Sequence, residues 1–339
     1  MYPSRSAHVP PRTRHTRRII ISTALLALLG FAVSHGPPPA QAFPERPIKI
    51  VVPFPAGGPT DVAARLIARA LGARLGQPVV VENTIGAGGR IGAKAVAHAS
   101  PDGYTLLLGG TNVNALLGGL YTNLGFDPIG SFAPVAAICV DPIALAVNPG
   151  VPANSVQELI TYAKKNPGKL RFGAPTGIYT HFAGEYFKVR TGTDIQFVPY
   201  RGGAPAIIDV IGGHIDIVFN PKSSLLTHFQ EGTLKALAVT SEQRWPELPQ
   251  VPTMAEAGVT GFPTEVWFGL LAPAGTPPAI ITRLNRATNE SLASAEVIAS
   301  LDKLGVQAHG GSPDDFAAAL ADQARTWRTV IEATGIKME

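Results

Sequence analysis

Three times after position 47, a short apolar run gives way to a glycine-rich loop, and after the first two a helical pattern follows. Ile48 to Val52 ends in Pro53-Phe54-Pro55-Ala56-Gly57-Gly58-Pro59, too rich in Pro and Gly to continue a strand. Thr60 then reads as a helix cap, with Asp61 in the positive first turn and Val62, Leu66, Ile67, Ala70 and Leu71 on one face. Val79 to Val81 leads through Gly86-Ala87-Gly88-Gly89 into a helix over Ile91 to Ala99, closed by Pro101. Tyr104 to Leu108 leads into Gly109-Gly110-Thr111-Asn112. Alternation of this kind predicts an α/β fold with parallel strands covered by helices.

A second series starts near residue 150. Ser155 caps a helix running to Lys165, with Glu158 in the capping-box position. Strands are expected at 170–173, 196–200, 215–219 and 234–240, with helices around 181–189 and 204–211. Between the two series lies the apolar stretch Phe132 to Val147, broken by Asp141-Pro142, which can leave one sheet and enter another. Val266 to Ala272 can carry the chain back, and 277–336 reads as helical with a break at Gly310-Gly311. Two α/β lobes joined by two crossings follow, with the ligand cleft between them.

The N-terminus sets the expected compartment. Arg12, Arg14, Arg17 and Arg18 precede an apolar run of 15 residues from Ile19 to Val33, and Ala40-Gln41-Ala42 makes a small-x-small cleavage site. A bilayer span needs about 20 apolar residues, so the pattern predicts a signal peptide over 1–42, cleaved after Ala42 and exporting the chain to the periplasm. Arg17-Arg18 leaves the general and twin-arginine routes both open. Five arginines (Arg5, Arg12, Arg14, Arg17, Arg18) leave with that segment, so 28 basic against 24 acidic residues become 23 against 24. No basic excess remains to suggest nucleic acid. The single cysteine, Cys139, lies in an apolar run and reads as a buried hydrophobe.

Signals for catalysis are absent from the sequence. HExxH, G-x-S-x-G, a Walker loop and paired Cys/His metal spacings do not occur. Gly86 to Gly92 does not have G-x-G-x-x-G spacing and lacks the acidic residue of a dinucleotide site. No cofactor, no metal and no enzyme activity are expected. The glycine loops offer instead backbone N–H groups at helix starts, where a helix supplies about half a positive charge. Each charge-assisted hydrogen bond there is worth about 1.5–3 kcal/mol to a carboxylate.

Several ordered motifs carry a resemblance: Pro53 to Asp61, Gly86 to Leu108 with Pro101-Asp102-Gly103-Tyr104-Thr105, His181-Phe182-Ala183-Gly184-Glu185, Val198 to Ala206, Val251 to Gly258, and Trp267 to Pro277. Together they resemble the Bug family, the extracytoplasmic solute receptors of tripartite tricarboxylate transporters. The resemblance implies a two-lobed periplasmic-binding fold of type II that closes on its ligand like a flytrap. Lobe 1 would comprise 43–145 and 265–339, and lobe 2 would comprise 146–264. It implies a small carboxylate as ligand, pinned by Phe54, Ala56, Gly57 and Gly58, with Asp61 in support. Thr111 and Asn112 join them from the same lobe. From lobe 2 come Thr176, Gly177, Thr180 and His181, then Tyr200, Gly202, Gly203 and Ala204, and Asn220. The implied partner is the membrane permease, or a sensor-kinase ectodomain, and the receptor would act as a monomer. Where the family has a Gly/Ser-rich loop, this chain has Ile178 and Tyr179. They either narrow the cleft toward aliphatic or aromatic acids or pack into lobe 2.

Overall fold

The computed structural model describes residue 1, residues 43–262 and residues 265–338; the predicted signal segment lies outside the described residues. Within Pro44–Glu339, strand β1 (Ile48–Val52), helix α1 (Pro59–Leu75), β2 (Val79–Asn83), α2 (Arg90–Ala97) and β3 (Thr105–Gly110) follow the expected order. A π-helical turn over Thr111–Leu116 and the short α3 (Leu117–Leu120) come next. The long β4 (Phe132–Val147) opens the second series: α4 (Val156–Lys165), β5 (Arg171–Pro175), α5 (Tyr179–Thr191), β6 (Gln196–Tyr200), α6 (Gly203–Ile211), β7 (Ile217–Pro221), α7 (Lys222–Gln230) and β8 (Lys235–Val239). β9 (Glu265–Pro273), α8 (Pro278–Leu292), α9 (Ala295–Lys303), β10 (Gln307–Gly310) and α10 (Pro313–Thr334) complete it.

The strands run in the order β2-β1-β3-β9-β4-β7-β5-β6, with β10 and β8 also paired to β4. Pairing is parallel for β1 with β2 and β3, and for β5 with β6 and β7, but antiparallel wherever β4 or β9 takes part. The sheet is therefore mixed, where alternation alone predicts parallel strands. β4 does not break at Asp141-Pro142. From Phe132 to Pro142 it pairs with β9, and from Ile143 to Val147 with β7 and β8. The Asp-Pro step is the point at which one strand changes partners.

Each half has its own apolar core. Val51, Leu107, Leu117, Phe132, Leu271 and Phe316 belong to one cluster. Ala144, Val210, Ile215, Val218, Leu225 and Trp245 belong to another. Phe316 of α10 lies so close to β9 that a Cβ on Gly269 would meet its ring at 2.3 Å. The strand β10 inside the expected helical C-terminal region was not legible, because four residues with one buried position carry little periodicity.

Capping chemistry explains most boundaries. Ser155 Oγ accepts from the Glu158 N–H at 3.1 Å, while the Glu158 carboxylate reaches the Asn154 N–H at 2.7 Å instead of the cap's own. Ser312 and Asp315 complete a reciprocal capping box on α10. Helix α1 starts earlier than Thr60 suggests: Gly58 is its N-cap and Pro59 its first residue, a position where proline's missing N–H costs nothing. It ends at Gly76, whose φ of 70° is left-handed.

Candidate functional site

The expected site residues fall at the carboxyl ends of β1, β3, β5, β6 and β7. That is where helix N-termini and loop N–H groups converge in α/β sheets. At the end of β1, Ala56 and Gly57 are exposed, Phe54 and Gly58 half-buried. Asp61 is 3% exposed and organises this loop. Its Oδ2 accepts from the Gly57 N–H and from Arg65 Nε, both at 2.9 Å, and its Oδ1 accepts from Asn83 Nδ2 at 2.9 Å. Burial alone would raise its pKa; the bonds from Arg65, Gly57 and Asn83 outweigh it and hold the carboxyl below its ordinary value. The Gly57 N–H, expected as an anion donor, is thus taken by Asp61. Since Pro59 has no N–H, the first-turn amides of Thr60 and Asp61 are the donors the helix itself leaves without an acceptor. Asn83, absent from the expected set, also donates to the Phe54 carbonyl at 3.0 Å; a polar residue closing an apolar strand was its only signal.

At the end of β3, Thr111 is fully buried and both its roles are internal. Its hydroxyl donates to Gln323 Oε1 at 3.2 Å and accepts from the Trp267 N–H at 2.9 Å, tying the π-turn to α10 and β9. Asn112 is different. Its Nδ2 donates to the Gly88 carbonyl at 2.7 Å, which fixes the amide's orientation, while its buried Oδ1 has no partner.

The segment from β5 into α5 packs against the π-turn. Thr176 is exposed; Gly177 is buried at φ 77°, a conformation suited to glycine. Thr180 is 1% exposed and its Oγ1 has no partner. His181 stacks on Phe197 with ring centroids 4.0 Å apart. Burial first, then Lys188, lowers its pKa to about 4, so the ring is neutral at pH 7. Nδ1 accepts from the Gly177 N–H at 3.4 Å, so the ring proton resides on Nε2. Ile178 and Tyr179 are both half-buried. Burial, and then the Asp141 carboxylate, push the Tyr179 phenol above its ordinary pKa.

At β6, the Tyr200 hydroxyl donates to Asp209 Oδ2 at 2.6 Å, and burial followed by that carboxylate raises its pKa to about 12. Its donor is therefore occupied. Gly202 and Gly203 are half-buried and Ala204 exposed. A Cβ on Gly203 would lie 2.7 Å from Asn220 Oδ1, so glycine is what lets Asn220 approach the start of α6. Asn220, 3% exposed at the end of β7, has an Nδ2 without a partner. Gly203→Ala is expected to displace this amide and weaken ligand binding about 10- to 100-fold; titration calorimetry against wild type measures it.

Asp141 was missed as more than a strand break. It is fully buried in β4, and Ser223 of α7 donates to it through Oγ at 2.5 Å and N–H at 3.3 Å. An acid inside an apolar run was the available signal. Among the described residues no cluster of His, Cys, Asp and Glu could hold a metal ion, and no helix is long and apolar enough to cross a membrane.

Among the described residues, three buried side-chain atoms lack partners, on residues at or just after the carboxyl ends of β3, β5 and β7: an acceptor on Asn112, a hydroxyl on Thr180 and a donor on Asn220. Buried polar atoms are otherwise paired in native proteins, so each of these is a candidate ligand contact. Fold and site together define a two-lobed binding protein of the periplasmic type. Residues 63–336 match the family described as tripartite tricarboxylate transporter family receptor. BugT of Bordetella pertussis (strain Tohama I) is 38% identical over 323 residues, which cover 94% of this chain and 99% of that protein. The chain belongs to the tripartite tricarboxylate transporter receptor family. Two solved relatives share its fold. Rpa4515 of R. palustris, solved with adipate, is 38% identical with a TM-score of 0.80 and covers 87% of this chain and 99% of its own. MatC of Rhodopseudomonas palustris, solved with malate, is 32% identical with a TM-score of 0.79 and covers 85% of this chain and 100% of its own.

Proposed function

We propose that this protein is a periplasmic receptor that captures a small carboxylate between its lobes and delivers it to the membrane permease of a tripartite tricarboxylate transporter. The observation that carries the reading is the unpartnered trio of Asn112 Oδ1, Thr180 Oγ1 and Asn220 Nδ2. Asn220 Nδ2 and the Thr180 hydroxyl donate to one carboxylate. The first-turn amides of α1 and the Nε2–H of His181 add donors with a helix dipole behind them. Asn112 Oδ1 takes a hydrogen bond from a bridging water or from a hydroxyl of the ligand. The related proteins solved with adipate and malate support an organic acid as the ligand class.

In this reading residues 1–42 export the chain and are removed. Lobe 1 is 43–145 with 265–339, lobe 2 is 146–264, and the closed monomer is what the permease recognises. Capture involves no bond making, and none of the residues named is assigned a catalytic task. A thermal-shift screen of the mature protein against mono-, di- and tricarboxylates, amino acids, sugars and amides tests it. An acid at 100 times its dissociation constant is expected to stabilise the fold by about 2.7 kcal/mol. Shifts from neutral compounds alone would sink the carboxylate reading.

The loop assignment has its own test. Gly58 has φ −77° and ψ 167°, and a Cβ there would meet only the Pro55 carbonyl, at 3.5 Å. Gly58→Val is therefore expected to fold normally and to bind acids at least 10-fold more weakly, because its branches block approach to the amides of α1. Unchanged affinity in equilibrium titration would remove this loop from the site.

A further inference from the structure

The exposed face of α2 is not explained by ligand capture. Ile91, Lys94, Ala95 and His98 recur at helical spacing on one side of it. With Ala87 and Arg90 they line a concavity of about 620 Å³. Ile91 is 53% exposed, and Ile85, just before the loop, is 56% exposed. Neither Arg90 nor Lys94 makes an ion pair among the described residues. Arg90 lies over the Tyr121 ring at 5.3 Å, and a Cβ on Gly125 would meet Lys94 Nζ at 2.8 Å. His98 also lines the concavity, its Nδ1 2.9 Å from the Lys94 carbonyl. Arg90 and Lys94 thus flank the apolar Ile91 and Ala95, and among the described residues no acidic side chain lines the concavity.

Its position couples it to the ligand site. Ala87 leads directly into Gly88, whose carbonyl accepts from Asn112 Nδ2. Gly88 also faces the loop before α5: a Cβ on it would lie 3.7 Å from the Gly177 carbonyl. Ala87, at one edge of the groove, is therefore next in sequence to the residue that holds Asn112, whose Oδ1 is unpartnered.

We propose that the α2 groove is the docking surface for an acidic segment of the membrane partner carrying an apolar anchor. Acidic side chains of that segment pair with Arg90 and Lys94 while its apolar residue sits on Ile91 and Ala95. A lipid surface fits less well, since polybasic membrane sites use about four to eight Lys and Arg on an accessible face, and this groove is concave with two. The inference rests on the receptor reading above.

The test is the double variant Arg90→Glu/Lys94→Glu, with Lys94→Glu alone and Ile91→Ser in parallel. The acid giving the largest thermal shift with wild type serves as probe. Calorimetry on purified protein measures affinity, and uptake of the radiolabelled acid is followed in cells whose only copy is the variant. Expected are affinity within about threefold of wild type and uptake reduced at least tenfold in the double variant, with smaller losses in the single ones. Undiminished uptake overturns the proposal, and so does a parallel loss of affinity, which would assign these residues to the ligand site. Sedimentation of wild type with phosphatidylglycerol vesicles, abolished by the double variant, would overturn it in favour of a membrane contact. A wild-type protein that binds no acid fails earlier and removes the receptor reading itself.

Discussion

Thr180→Val combined with Asn220→Ala is expected to weaken carboxylate binding by about two to four orders of magnitude while leaving the ligand-free protein at least as stable as wild type. The two effects have opposite signs for one reason. A buried polar atom without a partner costs about 1–3 kcal/mol in the free protein, and Thr180 Oγ1 and Asn220 Nδ2 are such atoms. Valine matches threonine in shape, so its substitution removes that cost without opening a cavity; alanine at 220 offsets a small cavity against the same gain. In the complex each atom donates a charge-assisted hydrogen bond worth about 1.5–3 kcal/mol, and each loss is about 10- to 100-fold in affinity. Thermal denaturation without ligand and calorimetric titration with it measure the two halves. A fall of several degrees in the ligand-free melting temperature, with affinity unchanged, would make both groups structural and remove the trio from the site.

Asp141→Asn is expected to stabilise the protein at pH 8 and to have little effect at pH 4. Burial raises the Asp141 pKa to about 7, and the bonds from Ser223 and the charge of Lys222 only partly oppose it. The native state therefore holds a proton between about pH 4 and 7 that the unfolded chain has lost. Stability contributed by this protonation is complete below the unfolded pKa and is lost as pH rises through 7. Over that window the loss is roughly 4 kcal/mol for a fully buried carboxyl. The groups facing it are Ser223 and Lys222 on α7, Cys139 on its own strand and Tyr179 on α5. Lys222 is held by Glu247 at 2.8 Å and cannot fully neutralise it. Asparagine keeps an acceptor for Ser223 and has no proton to lose. Melting temperatures of both proteins across pH 4–8 measure the effect; curves that remain parallel would show that Asp141 is ionised throughout.

Much of this was legible because it is local. The Gln196–Tyr200 strand, the Ser155 cap and the return of each loop to the carboxyl end of a strand depend on residues within a few positions of one another. Errors arose where partners are distant. Thr60 reads as a cap, yet Gly58 caps the helix and Pro59 starts it, and the loop before them is tied through Asp61 to Asn83, 22 residues further on. Asp141-Pro142 reads as a break, yet β4 runs through it, because β9 ends its pairing there as β7 begins.

The site divides in the same way. Sequence periodicity determined the alternating α/β pattern and the glycine loops that leave helix N-termini open, while the set of candidate site residues came from the family resemblance. The pattern and the loops follow from periodicity and backbone freedom, which each segment carries by itself. Tertiary structure decided which of those residues still have something to offer. It took up the Gly57 amide and the Thr111 and Tyr200 hydroxyls with Asp61, Gln323 and Asp209, and it left Asn112, Thr180 and Asn220 each with one atom unmatched. Whether a buried donor is satisfied depends on groups up to 212 residues away in the chain, and no local pattern contains that information.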